Sequence, residues 1–195
     1  MLQEPAYSQP AVAAPRILVI GDSLSAEYGL RRHSGWVELL NATVSKLPTP
    51  VTVINASISG DTTSGGLTRI DAALSRHQPT IVILELGAND ALRGLPLTLT
   101  QKNITEMIVR SQTAGAKVVL VGMQIPPNYG REYAQGFKNI FSTTAAQTGV
   151  AFVPFLFEGF ADQRQYFQAD GIHPNESAQP LMLATIRQAL DPLLR

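Results

Sequence analysis

Arg16 to Ser25 reads RILVIGDSLS, a short aliphatic run stopped by a glycine, an aspartate and a serine. Such a run, bounded by turn residues, is the pattern of a strand that ends abruptly in a loop. Similar runs recur at Val51 to Asn55 (VTVIN), Ile81 to Leu86 (IVILEL), Lys117 to Gly122 (KVVLVG) and Val150 to Val153 (VAFV). They are too continuous for strands with one wet face, so burial on both faces is expected. Between them, apolar residues fall three or four apart. They are Trp36, Val37, Leu39, Leu40 and Val44 in one stretch, and Leu67, Ile70, Ala73 and Leu74 in the next. Ile104, Met107 and Ile108 mark a third, Phe137, Ile140 and Phe141 a fourth, and Leu181, Leu183, Ile186 and Leu190 a fifth. These are helical periods. Alternating strands and helices imply right-handed crossovers and a mainly parallel five-stranded sheet covered on both sides, a three-layer α/β/α sandwich.

The bulk composition fits that plan. With 195 residues, of which 45% are hydrophobic, one compact domain over residues 16–195 is expected, and a chain of this size builds a core without metal or disulfide staples. Fifteen basic and fifteen acidic residues cancel, and no run of like charge could track a phosphate backbone, which argues against a nucleic-acid partner. The longest apolar runs fall far short of the roughly 20 residues that span a bilayer, so no integral membrane segment is expected. The absence of cysteine leaves the redox compartment open. Met1 to Pro15, rich in Ala, Pro and Gln, reads as a flexible lead without the basic start and long apolar stretch of an intact secretory signal.

In open parallel sheets ligands bind beyond the carboxyl ends of the strands, so the residues just after each apolar run carry the functional question. Gly21-Asp22-Ser23-Leu24 follows the first strand and would present the Ser23 hydroxyl on a strand-to-helix turn, where helix N-terminal amides favour developing negative charge. The same residues also read as an Asp/Ser helix cap. A serine needs a base, and three histidines are present. His33 and His77 fall within or at the end of helical stretches, where surface or capping roles serve them. His173 lies in Asp170-Gly171-Ile172-His173-Pro174, an irregular segment in which Gly171 permits a tight turn and Pro174 disfavours helix at His173. Asp170 could accept from its Nδ1, or could simply cap a turn. Asn89, in Gly87-Ala88-Asn89-Asp90, and the amide of Gly60, in Ser59-Gly60-Asp61, could donate to an oxyanion; an Asx turn and an ordinary loop are the plainer readings. Taken together, four loops at successive strand ends supply nucleophile, base, orienter and donors.

These motifs, GDSLS at 21–25, SISGDTT around Gly60, GAND at 87–90 and DGIHPN at 170–175, resemble the SGNH or GDSL hydrolases from Arg16 onward. The stretches INASISGDT, ELGAND, LRG, PPNYGR and DGIHPN are most similar to a bacterial branch of multifunctional thioesterases, proteases and lysophospholipases that includes arylesterases. The resemblance implies a flavodoxin-like fold without cofactor or metal, Ser23 as nucleophile, His173 as base and acid, and Asp170 as its partner. It further implies an oxyanion hole from the Ser23 and Gly60 amides and the Asn89 side chain, and a periplasmic or secreted enzyme whose signal lies outside this chain. Leu92 to Thr98 resembles a mobile loop beside the acyl groove and Ile125 to Tyr129 another of its walls, so Leu24, Leu92, Ile125, Pro126 and Tyr129 are the expected substrate contacts. Ala88 departs from the family, whose members often carry a second glycine there.

The function expected is therefore cleavage of carboxylic esters and acyl thioesters through an acyl-enzyme, with a small-molecule substrate. Carbohydrate deacetylation or acyl transfer could use the same residues. A nucleotide- or flavin-binding module is disfavoured, because neither G-x-G-x-x-G nor a GK[ST] loop follows any strand, and a non-catalytic interaction domain leaves the four motifs without a purpose.

Overall fold

The computed structural model describes residues 15–195; the expected flexible lead lies, but for Pro15, outside the described residues. Five strands, β1 (Arg16–Gly21), β2 (Thr52–Asn55), β3 (Ile81–Glu85), β4 (Lys117–Val121) and β5 (Ala151–Val153), form one sheet in the order β2-β1-β3-β4-β5. Every pairing is parallel. The helices are α1 (Trp36–Val44), α2 (Thr63–His77), α3 (Ala88–Leu92), α4 (Leu97–Thr113), α5 (Arg131–Thr148) and α6 (Gln179–Leu190).

Handedness distributes them. From β1 the chain steps outward to β2 through α1, then reverses over β1 to β3 and advances to β4 and β5 through α2, α4 and α5. Right-handed crossovers in opposite directions put their helices on opposite faces. The packing agrees: α1 lies against α6, while α2 packs on α4 and α4 on α5. None of the helices among the described residues is long and apolar enough to cross a membrane.

The central strands are as dry as their sequences imply, with Ile17 to Ile20 at 0% exposure and all of β3 buried. β2 and β5 depart from expectation. Thr52 and Asn55 are exposed, and Val53, Ile54, Ala151 and Phe152 are only partly buried. Both are edge strands, each with one flank unpaired, and a continuous apolar run cannot distinguish that position from a central one.

The register sets up the site. Gly21 pairs with Glu85, and a Cβ on Gly21 would lie 2.8 Å from both Glu85 Oε2 and Ser25 Oγ. Any larger residue there would displace the buried carboxyl beneath the first loop. The direction of the chain reverses between β1 and β3, and the crevice such a reversal opens beyond the strand ends is where α/β sheets bind ligands.

Candidate active site

Residues 23–29 follow β1 as a series of turns. The expected helix N-terminus behind Ser23 is a single turn, closed by Ala26 N–H donating to Asp22 O at 2.9 Å. α1 begins only at Trp36, because Glu27 (φ 58°) and Gly29 (φ 70°) take left-handed conformations that end the turn. Asp22 Oδ1 accepts from Leu24 N–H at 3.0 Å, so the aspartate does cap locally and thereby fixes the backbone that carries Ser23.

Ser23 Oγ lies 3.0 Å from His173 Nε2, across 150 residues of sequence. His173 Nδ1 lies 2.7 Å from Asp170 Oδ2. The two readings of Asp170 are both realised, one per oxygen: Oδ1 accepts from the N–H groups of Ile172 (2.9 Å) and His173 (3.0 Å), leaving Oδ2 for the imidazole. Burial pushes the Asp170 carboxyl upward, but these three hydrogen bonds and the nearby imidazole outweigh it and hold the group down at about 2. The loop is closed by Gln168 N–H donating to His173 O at 2.8 Å and by a bridge between Phe167 and Pro174. The other histidines lie elsewhere. His77 ends α2, as expected, whereas His33 sits in an exposed turn at φ 65°, 3.8 Å from Glu38, and not within a helix.

Gly60 occupies the turn after β2 at φ 79°, a conformation that favours glycine. Among the described residues, the Ser23 and Gly60 N–H groups donate to no protein acceptor. Asn89, in α3, donates through Nδ2 to Asp22 Oδ2 (3.0 Å) and to Asp61 O (2.9 Å). Both amide hydrogens are thus engaged at rest, and an oxyanion would share one of them with Asp22.

Several residues that sequence reasoning passed over hold these loops together. Glu85, fully buried at the end of β3, accepts from Ser25 Oγ at 2.7 Å and from Asp22 N–H at 3.3 Å through the same oxygen. Burial, and next the Asp22 carboxylate, push its carboxyl well above the usual range. Burial likewise raises Asp22 to about 6, against the opposing pull of the Leu24 amide, His173 and Asn89. Arg69 of α2 donates to Asp61 Oδ2 (2.9 Å), Ala56 O and Gly21 O, tying the loops after β1 and β2 to one cation. Asp90 accepts from the N–H and hydroxyl of Thr63, joining α3 to the start of α2. The signal for Glu85 was available: an acid inside the apolar IVILEL run.

Walled by Gly171 and Ile172, which separate Asp170 from His173, and by Ala88, which precedes Asn89, is a mainly apolar cavity of about 370 Å³. Of the expected substrate contacts, Leu92, Ile125, Pro126 and Tyr129 line it. Leu24 does not. It is 8% exposed and packs into the core. Phe155, Phe157 and Phe167 supply the remaining apolar wall, and their rings pack at centroid distances of 5.7–5.8 Å about Phe157.

Known proteins place this arrangement. Residues 19–179 match the GDSL-like lipase/acylhydrolase family. Esterase TesA of Pseudomonas aeruginosa is 45% identical over 93% of this chain and 90% of its own length. The thioesterase 1/protease 1/lysophospholipase L1 of Escherichia coli is 40% identical over 94% of this chain and 87% of its own. A crystal structure of TesA superimposes with a TM-score of 0.88 at 44% identity, covering 91% of this chain and 99% of that one. With a matching family motif set, relatives of this identity over nearly the full length and the same fold, the chain belongs to the GDSL-like lipase/acylhydrolase family.

Proposed function

We propose that this protein is a serine hydrolase that cleaves carboxylic esters and acyl thioesters through an acyl-enzyme on Ser23. The observation that carries the reading is the unbroken line from Ser23 Oγ to His173 Nε2 (3.0 Å) and from Nδ1 to Asp170 Oδ2 (2.7 Å), in a loop whose Gly171 and Ile172 wall an apolar cavity. His173 takes the Ser23 proton as Oγ attacks the carbonyl carbon and passes it to the leaving oxygen or sulfur. Water, deprotonated by the same nitrogen, then attacks the acyl-enzyme and releases the acid. The carboxylate of Asp170 fixes the tautomer with Nδ1–H and supports the imidazolium. The Ser23 and Gly60 amides and Asn89 Nδ2 receive the oxyanion; one such donor is worth about 2.7–4 kcal/mol of transition-state stabilisation.

The acyl chain occupies the cavity along Leu92, Ile125, Pro126 and Tyr129. Its apolar lining favours an acyl group over a sugar, and about 370 Å³ lies at the low end of small-molecule sites, which favours short and medium chains. Residues 16–195 act as one domain, and export to the periplasm follows from the family resemblance. The test is hydrolysis of p-nitrophenyl esters from acetate to palmitate and of an acyl-CoA, with Ser23→Ala in parallel. A fall of about 10⁴-fold or more in kcat for Ser23→Ala is expected, with the best substrates short to medium. Turnover retained in Ser23→Ala would place the chemistry elsewhere.

A further inference from the structure

Tyr28 is 51% exposed, yet its ring lies 4.5 Å from the His173 ring, centroid to centroid, at an interplanar angle of 39°. An exposed aromatic side chain ordinarily has no fixed neighbour. The backbone that carries this one is held from two sides. Upstream, Glu27 takes a left-handed conformation (φ 58°), uncommon for a residue with a Cβ, and its carboxylate accepts from the N–H groups of His33 (3.1 Å) and Gly35 (2.7 Å). Downstream, Gln168 Nε2 donates both to Tyr28 O (2.8 Å) and to Pro174 O (3.1 Å). One amide thus joins the backbone of Tyr28 to the residue that follows His173.

The position of the ring relative to the cavity gives it a role. Gly171 and Ile172 line the apolar cavity, as do Ala88 and Leu92, whereas Tyr28 does not. An acyl group seated in the cavity leaves the other substituent of the carbonyl beside His173 Nε2, which must protonate it. Tyr28 flanks that imidazole with half its surface open. We propose that Tyr28 forms a leaving-group subsite that takes aromatic alcohols, stacking their rings on its open face while His173 delivers the proton. This rests on the serine-hydrolase reading and adds to it a preference on the side of the ester away from the acyl chain.

The test compares two esters with the same acid, phenyl butyrate and ethyl butyrate, in the wild type, Tyr28→Ala and Tyr28→Phe. An aromatic pair of this kind corresponds to roughly three- to tenfold in kcat/KM. Tyr28→Ala is therefore expected to lose that factor on the phenyl ester and less than about twofold on the ethyl ester, while Tyr28→Phe behaves as wild type on both. The acyl-enzyme is common to the two substrates, so a disturbance of His173 itself would slow both. Parallel losses on the two esters, or no loss on the phenyl ester, overturn the subsite. Ser23→Ala run on the same pair keeps the two ideas apart: turnover near the wild-type level there contradicts the serine mechanism, whereas Ser23-dependent activity with parallel losses contradicts only the role of Tyr28.

Discussion

Asp22 and Glu85 are two carboxyls packed under the nucleophile loop, 1% and 3% exposed. Two adjacent buried carboxylates cannot both stay charged cheaply, and burial together with the neighbouring Asp22 carboxylate pushes Glu85 well above the usual range, in the direction that favours its protonated form. Its acceptor oxygen serves the Ser25 hydroxyl and the Asp22 amide, so the buried carboxyl acts as a peg for the turn that presents Ser23. Glu85→Gln retains an acceptor and is expected to keep most activity, whereas Glu85→Ala strands two buried donors at a cost of about 2–4 kcal/mol. The pH dependence follows from the sign of the shift. A carboxyl whose folded pKa is raised favours the folded state while protonated, so stability falls as pH rises from about 4.5, where the unfolded chain ionises, through the higher folded value. Thermal melts across pH 4–8 should therefore decline less steeply for Glu85→Gln than for the wild type. Identical slopes would mean that Glu85 is already charged in the folded protein.

Among elements, α2 does more than cover the sheet. Its Arg69 collects the Gly21 and Ala56 carbonyls and the Asp61 carboxylate, and its first residue, Thr63, holds Asp90 next to Asn89. The Ser23, Gly60 and Asn89 loops are thereby referred to one helix. Arg69 and Asp61 are 21% and 12% exposed in their side chains, so Arg69→Met removes partly buried charge-assisted bonds. A loss of about 2–3 kcal/mol in stability is expected, together with a fall in kcat that exceeds any change in KM, since the loops proposed to receive the oxyanion are loosened and the cavity proposed to take the acyl chain is not touched. An unchanged kcat in a folded, less stable variant would show that the loops hold their geometry without this bracket.

At the scale of the whole molecule, what the sequence disclosed was periodicity and punctuation. The apolar runs located all five strands and the three-to-four spacing the five long helices, because both depend on local chemistry. Which strands lie at the edges was not legible, since VTVIN and VAFV are as apolar as a central strand and only the order β2-β1-β3-β4-β5 exposes them. The loop motifs showed Ser23 at a strand end and His173 in the irregular segment that follows the last strand, but their approach to 3.0 Å is a product of topology. Leu24 was expected beside the cavity from its place in GDSLS, and nothing in that stretch told that its side chain is 8% exposed and packed with the core. Phe155, Phe157 and Phe167 were missed because the segment between β5 and α6 has no period to follow, and Tyr28 because a single aromatic in a loop has no pattern at all.

The central claim is that Ser23 is the one activated nucleophile. Its most direct measurement is reaction of the folded, active protein with a fluorophosphonate, followed by intact mass and peptide mapping. The account predicts a single phosphonyl adduct per chain, located on Ser23, with loss of esterase activity in proportion to labelling and no adduct in Ser23→Ala. Full esterase activity in protein that takes up no label, or an adduct at a different residue, would contradict it.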